Sequence, residues 1–176
     1  MAVSRLADSL EKYYYKDMEL VTIEKKENEK FLRQKTAAFN FSKFSKKEIN
    51  DLIKAMRIKM KLHDGVGLAA NQVGLNARVF VAQVDNKFYA IFNPEIIQES
   101  EEKAVQDEGC LSVPGSYGPV PRHEKVTLKG FDKHNNPIKI KAWGLLARVF
   151  QHEMDHLNGG LFIDRALEIH KNEPTT

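Results

Sequence analysis

Two histidines and a glutamate in one short segment, His152-Glu153-Met154-Asp155-His156, are the residues of this sequence best suited to chemistry. Residues four apart lie on one face of an α-helix, so the imidazoles of His152 and His156 can bind a single metal ion. Glu153 lies between them and can take a proton from a water molecule on that ion. The segment therefore predicts a catalytic metal site.

A catalytic metal site usually has three protein ligands and a further position for water, so two histidines are not sufficient. The only cysteine, Cys110, lies in the segment Glu108-Gly109-Cys110-Leu111-Ser112. A thiolate binds divalent transition metals well, but an isolated cysteine is more often a small buried apolar residue. From the residues alone, both interpretations of Cys110 stay open.

A helix must carry the two histidines, and the pattern predicts one over about 145–157. Apolar residues recur at helical spacing along one side: Ala147, Phe150, Met154 and Leu157. Asn158-Gly159-Gly160 then ends the helix. Glu153 lies on the same side of this helix as several further apolar residues. An unpaired carboxylate on such a buried side is costly in free energy unless it has a function.

Leu145 and Val149 precede His152 by seven and three residues and therefore share its face of the helix. We expect them to border the metal cleft. The alternative is that both are ordinary core residues, and the spacing does not separate the two interpretations.

The remaining patterns predict one more helix and two hairpins. Ser45 and Glu48 form a capping box before a helix that ends near His63. Two β-rich runs on either side of Asp85-Asn86 predict a hairpin over 78–92. Alternating polarity predicts a second hairpin over 125–143, around the turn at 134–137. We therefore predict an α+β fold in which mixed or antiparallel β-sheets wrap around a central metal-binding helix.

The composition is that of an ordinary globular protein. With 176 residues, 42% hydrophobic and 29% charged, we predict a single domain over 1–176, with 1–25 as an N-terminal extension whose structure the pattern does not define. The 24 acidic residues interleave with 27 basic ones, which gives no support for specific nucleic-acid binding. We expect neither a membrane span nor a secretory signal, and because a single cysteine suits a reducing compartment we expect a cytoplasmic location.

Three separated stretches resemble the three signature motifs of the peptide deformylase family, in that family's order: 65–72 (GVGLAANQ), 108–112 (EGCLS) and 151–157 (QHEMDHL). The resemblance implies hydrolytic removal of the N-formyl group from N-formylmethionine of newly made polypeptides. In this reaction metal-bound water would attack, with Glu153 as general base and then general acid.

The resemblance also implies roles for the other site residues. One divalent ion would be bound by three ligands: Cys110, His152 and His156. Fe²⁺ is favoured, and Zn²⁺, Ni²⁺ or Co²⁺ are alternatives. The oxyanion would be stabilised by the Gln72 side chain and the Leu111 backbone N–H. Substrate contacts, including the pocket for the methionine side chain, would come from Val66, Gly67, Leu145 and Val149.

The implied partners are N-formylmethionyl peptides and nascent chains, without a specific nucleic acid or a membrane. A transient ribosome contact is compatible with the resemblance, although the long C-terminal helix of many bacterial members is not expected here.

Two other functions fit parts of the pattern. A zinc peptidase would take its third ligand downstream, where Glu168 and His170 are the nearby candidates. A non-catalytic metal-binding module would close the metal sphere with a fourth ligand such as His123 or His134.

Overall fold

The computed structural model describes residues 18–171. It contains three α-helices: α1 (Lys26–Leu32), α2 (Lys46–Leu62) and α3 (Gly144–Leu157). It contains eight strands: β1 (Gly67–Ala69), β2 (Val79–Val84), β3 (Lys87–Glu99), β4 (Lys103–Cys110), β5 (Val113–His123), β6 (Lys125–Phe131), β7 (Pro137–Trp143) and β8 (His170–Lys171). Short 3₁₀ helices cover Phe41–Lys43, Ala70–Val73 and Phe162–Asp164.

Helix α2 begins at the predicted capping box. The Ser45 Oγ accepts a hydrogen bond from the Glu48 N–H, and the Glu48 carboxylate accepts one from the Ser45 N–H, at 3.2 and 2.6 Å. These two bonds satisfy backbone donors that the first turn of a helix leaves unpaired. The predicted helix is confirmed, and its C-cap is His63.

The larger sheet has five antiparallel strands in the order β1-β2-β3-β6-β7. Both predicted hairpins, β2–β3 and β6–β7, are confirmed within it. The turn between β2 and β3 has positive φ at Asp85 (49°) and Asn86 (61°), which is typical of the type I′ turn that matches strand twist. Strand β3 continues beyond the predicted hairpin to Glu99, with two register shifts against β6.

A second sheet, in the order β4-β5-β8, was not predicted. Strand β5 contains Pro114, Pro119 and Pro121, and proline in a strand pattern argues against a strand because it cannot donate to the ladder. The strand also contains Gly118, where a Cβ atom would lie 2.1 Å from the Glu168 carbonyl oxygen. The prolines therefore explain why the β4–β5 hairpin was not predicted. The missing side chain at Gly118 lets the segment around Glu168 pack closely against β5.

The two longer helices cover opposite sides of the larger sheet. Helix α3 packs against one side in a cluster that includes Phe80, Leu128 and Phe150. Helix α2 packs against the other side with Val79 and Val81. The predicted α+β class, with antiparallel sheets around the helix that carries the histidines, is confirmed. Within residues 18–171, no helix is long and apolar enough to cross a membrane.

Candidate metal centre

The three predicted metal ligands converge although they come from different elements. His152 and His156 lie one turn apart on α3, and Cys110 lies at the end of β4 in the other sheet. The Cys110 Sγ is 3.1 Å from the His156 Nε2, which is 3.2 Å from the His152 Nε2. All three ligand atoms lie within 4.8 Å of one another. A sulfur and two imidazole nitrogens at this spacing can share one metal ion.

The chemistry of the donor set fits a divalent transition metal. Burial alone would raise the pKa of the Cys110 thiol, but the charge of His156 and hydrogen bonds with both histidines hold it well below its ordinary value. The Ser112 N–H also points at the sulfur, at 3.4 Å. The thiolate is therefore favoured, and thiolate is the form of cysteine that binds metals.

Glu108 orients one of the histidines and is itself held by two arginines. Its carboxylate accepts hydrogen bonds from the His152 Nδ1 at 2.9 Å, from Arg122 at 2.8 and 2.9 Å, and from Arg148 at 2.7 Å. Burial alone would raise the pKa of Glu108, but the hydrogen bonds from Arg122 and His152 hold it well below its usual range. A carboxylate on the far ring nitrogen fixes the histidine tautomer and leaves Nε2 free to bind metal.

Glu153 is buried beside the ligands, with only 2% of its surface exposed. Its Oε2 has no hydrogen-bond partner among residues 18–171. Burial raises the pKa of Glu153 to about 7, against the opposing charges of His152 and His156. Such a carboxyl can hold or release a proton near neutral pH.

Gly67 makes room for this carboxyl. A Cβ atom at Gly67 would lie 2.3 Å from the Glu153 Oε1 and 3.0 Å from the Val149 Cγ1. A side chain at position 67 would therefore displace the Glu153 carboxyl from its present position.

The Gln72 side chain is fixed by bonds at both of its polar atoms. Its Oε1 accepts a hydrogen bond from the Ala69 N–H at 2.8 Å, and its Nε2 donates to the Ser112 Oγ at 3.2 Å. The same Nε2 is 3.6 Å from the Cys110 sulfur. The amide therefore points its N–H groups toward the ligand cluster, and Leu111 lines the same cleft.

A cleft of about 870 Å³ opens in front of these residues. This cleft is lined by all four of the predicted substrate-contact residues: Val66, Gly67, Leu145 and Val149. Val66 is 47% exposed and Leu145 is 51% exposed, so neither is a core residue, whereas Val149 is buried. The structure thus separates two interpretations of Leu145 that the helical spacing left open.

Two strand edges that pair with no other strand of residues 18–171 border the cleft. Strand β1 is the end of the five-stranded sheet, and β4 is the end of the three-stranded sheet. Gly67 of β1 and Asp107, Glu108 and Gly109 of β4 are cleft residues. An extended peptide could therefore add to either sheet at this position.

Several residues of this site were not predicted from the sequence. The segment before α1 contributes Leu20, Thr22 and Glu24 to the cleft, although residues 1–25 were expected to be an extension. This segment is tied to the site because the Val21 N–H donates to the Gln72 carbonyl at 2.8 Å. Residues 1–17 of the expected extension lie outside the described residues.

The roles of Glu108 and Arg148 were also missed. Arg148 precedes His152 by four residues, so helical spacing could have placed both near one carboxylate. Arg122 does not face the cleft, because it is only 3% exposed and bonds both Glu108 and Asp155.

The histidines that the alternative functions require lie elsewhere. The His123 Nδ1 contacts the Ser100 carbonyl, and its Nε2 is 3.4 Å from Glu99. His134 lies in the turn between β6 and β7, and His170 pairs with Glu168 at 3.2 Å. Within residues 18–171, the cluster able to hold a metal consists of Cys110 and the two helix histidines.

The fold and this cluster define a metal-dependent hydrolase. The family model for polypeptide deformylase matches residues 19–172. The chain therefore belongs to the peptide deformylase family, whose members use a divalent metal and remove the N-formyl group from newly made polypeptides.

Individual relatives agree with the family match. The peptide deformylase of Carboxydothermus hydrogenoformans is 51% identical over 116 residues, which cover 65% of this chain and 75% of that protein. The peptide deformylase of Halothermothrix orenii is 48% identical over 125 residues, 70% of this chain and 80% of that protein. Among solved structures, the peptide deformylase of Thermotoga maritima has a TM-score of 0.78 and 35% identity, and covers 86% of this chain and 98% of that chain.

Proposed function

We propose that this chain hydrolyses the formamide of N-formylmethionyl peptides in the cleft in front of Cys110, His152 and His156, which hold one divalent ion. Glu153 acts as general base and then as general acid. The observation that carries this assignment is the convergence of three ligand atoms within 4.8 Å beside a buried carboxyl with an unpaired oxygen.

The metal supplies Lewis acidity, which polarises the formyl oxygen and makes a water molecule more acidic. Glu153 takes the proton from the attacking water at a carboxylate oxygen. It then returns this proton to the peptide nitrogen as the carbon–nitrogen bond breaks, which gives formate and a free amino terminus. A carboxyl with a pKa of about 7 suits both directions of this transfer.

The negative charge that develops on the formyl oxygen as water adds to the formyl carbon is stabilised by two groups of this chain. The Gln72 Nε2 is held by its hydrogen bond to the Ser112 Oγ and lies next to the ligand sulfur. The Leu111 backbone N–H follows directly after the ligand Cys110. Donors that are fixed before the reaction stabilise charge more effectively than donors that must reorient.

The methionine side chain lies against the apolar part of the cleft. Val66 and Leu145 are exposed at the opening, and Val149 forms the buried wall next to Glu153. The backbone of the peptide pairs with the free edge of β1 at Gly67, which presents only backbone. The substrates are nascent chains, and a reducing compartment such as the cytoplasm would preserve the thiolate ligand.

We propose Fe²⁺ as the metal that supports the highest rate. Fe²⁺ accepts a fifth ligand more readily than Zn²⁺, although Zn²⁺ binds more tightly to such sites. Anaerobic reconstitution with each metal should give a faster iron enzyme that loses activity in air, together with oxidation of Cys110. Equal rates with both metals and no loss in air would contradict this choice.

The reaction itself is tested by measuring formate release from a formyl-Met tripeptide, with the metal content determined on the same sample. The acetyl-Met tripeptide of the same sequence is the control, because its additional methyl group must fit next to Glu153 and Gly67. We expect metal-dependent formate release and little cleavage of the acetyl peptide. Cleavage of internal peptide bonds without formate release would support a peptidase instead.

A further inference from the structure

The hairpin β6–β7 presents a regular row of lysines on the side of the sheet that faces away from α3. The register between the strands is unbroken, so residues directly opposite each other share a face. Lys125 lies opposite Trp143, and Lys129 lies opposite Lys139. Lys141 lies opposite Thr127, and all four lysines of this face are exposed.

This hairpin concentrates positive charge that the rest of the chain does not share. Residues 125–143 contain five lysines and one aspartate, a net charge of +4, whereas the whole chain of 176 residues has +3. Among residues 18–171, Lys129 is the only lysine of the face with an ion pair, to Glu95 at 3.0 Å. The even mixing of charge expected from composition therefore does not hold here.

Protection of a sheet edge does not account for this arrangement. Strand β7 is an edge strand, and lysines on such a strand oppose edge-to-edge pairing. Lys125 and Lys129, however, lie on the inner strand β6, and Lys129 directly opposes Lys139. Like charges in directly opposed positions destabilise a sheet. Glu95 offsets this repulsion at Lys129, whereas no ion pair is found for Lys125, Lys139 or Lys141 among residues 18–171.

An exposed aromatic ring ends the row. Trp143 is 70% exposed and directly opposes Lys125. Helix α2 packs on the same side of the sheet, mainly against β1 and β2, and its apolar cluster reaches β6 only at Phe131, at the far end of that strand from Lys125. The face thus combines regularly spaced, exposed cations, about 7 Å apart at Lys139 and Lys141, with one exposed aromatic ring on which a base can stack.

We propose that this face, formed by Lys125, Lys129, Lys139, Lys141 and Trp143, binds single-stranded RNA. The lysines contact successive phosphates, and the indole of Trp143 stacks on a base. An anionic membrane is the less suitable partner, because a single aromatic side chain offers little apolar surface to insert. The contacts read no base edges, so this binding is compatible with the prediction of no specific nucleic acid.

The test measures binding of a fluorescent 12-nucleotide RNA of mixed sequence to the metal-loaded enzyme by anisotropy, at several salt concentrations. Three or four phosphate contacts predict a slope of log K against log salt of about −2 to −3 for a single strand. In the variant Lys139→Glu/Lys141→Glu, the slope should become shallower by about 1.4, and affinity at low salt should fall about tenfold or more. Trp143→Ala should weaken binding about fivefold or more while leaving the slope unchanged.

The matched control is Lys26→Glu/Lys35→Glu, which makes the same change in charge at two exposed lysines near α1. It should bind RNA almost as the original chain does. All variants should release formate from a formyl-Met tripeptide at the same rate, because none of these residues lines the cleft. The proposal is wrong if the control loses as much affinity as the β7 variant. It is also wrong if phosphatidylserine vesicles, but not RNA, bind in a manner that depends on Lys139 and Lys141.

Discussion

Glu153 shows how the surroundings of a single residue define its chemistry. An isolated glutamate on a helix is normally a solvated and ionised side chain. Here it is packed behind Gly67 and next to Val149, and its Oε2 has no partner among residues 18–171. Burial raises the pKa of this carboxyl to about 7. The same environment that makes the charge costly makes the group useful for proton transfer.

We expect Glu153→Gln to retain the metal and to lose catalysis. The amide has the same shape but cannot accept and return the proton, which should lower kcat by about 10²- to 10⁴-fold. Formate release and metal content measured on the same preparation test this prediction. A variant that binds metal normally and still works at nearly the original rate would exclude Glu153 as the proton carrier.

The same residue should give the metal-free protein a specific pH dependence of stability. A glutamate in the unfolded chain has a pKa of about 4.3, whereas the pKa of Glu153 in the folded chain is about 7. The folded state therefore binds the proton of this carboxyl more tightly than the unfolded state does. The contribution of Glu153 to the free energy of unfolding is therefore most favourable below pH 4 and decreases as the pH rises to 7. The glutamine of Glu153→Gln does not titrate, so the variant does not lose stability in this way as the pH rises. The free energy of unfolding of the variant minus that of the original chain should therefore increase between pH 4.5 and 7, by on the order of 3 kcal/mol. Urea unfolding of both metal-free proteins across this range measures the difference, and a constant difference would contradict the prediction.

At the scale of elements, the buried charges connect the three-stranded sheet to helix α3. Glu108 belongs to β4 and Arg122 to β5, while Arg148 and Asp155 belong to α3. Arg122 bonds both carboxylates, and Arg148 also donates to the Ala104 and Val120 carbonyls. The three-stranded sheet is thus attached to α3 largely through ionic hydrogen bonds rather than through a wide apolar contact.

Loss of the charge on Glu108 should therefore affect both stability and metal affinity. Glu108→Gln leaves Arg148 and part of Arg122 without a counter-charge, which should cost about 3–5 kcal/mol of unfolding free energy. It also weakens the bond that orients His152, so metal affinity should fall about 10- to 100-fold. Denaturant unfolding of the metal-free protein and a competition assay with a chelator separate the two effects.

The matched control for this change is Asp107→Asn, which removes one negative charge from the exposed neighbouring position. It should change stability by less than about 0.5 kcal/mol. Equal effects at positions 107 and 108 would show that the buried network does not carry the stabilisation.

At the scale of the whole molecule, the metal centre lies where the two sheets meet. Cys110 ends a strand of the smaller sheet, whereas the two histidines lie on the helix that packs against the larger one. Cys110 is separated from the two histidines by more than forty positions in sequence, so the unfolded chain cannot hold all three ligands together. Metal bound at this point therefore stabilises the arrangement of the two sheets.

Removal of the metal should lower the melting temperature. Free metal at 100 times its Kd adds about 2.7 kcal/mol to the stability of the folded state. For a chain of this length this corresponds to about 5–10 °C. Calorimetry of the loaded, chelator-treated and reloaded protein measures the change, and Cys110→Ala should show a much smaller shift. Identical melting temperatures with and without metal would mean that metal binding does not stabilise the arrangement of the two sheets.

The sequence by itself determined those features that depend on neighbours along the chain. The helix with its histidines four apart, the capping box at Ser45 and the turn at Asp85-Asn86 all follow from local spacing and backbone preference. For this reason α2, α3 and both hairpins of the larger sheet could be predicted. Cys110 could be assigned as a ligand only through resemblance, because no local rule distinguishes a ligand cysteine from a buried one.

Only the tertiary structure decided the features that depend on contacts between distant segments. The smaller sheet has prolines and glycines where a strand pattern is expected, so its pairing is visible only when β4, β5 and β8 lie side by side. The pairing of Glu108 with Arg148, the space that Gly67 leaves for Glu153, and the cleft wall formed by residues 20–24 likewise join positions far apart in sequence. These contacts depend on the packing of side chains in three dimensions, and neither periodicity nor composition records it.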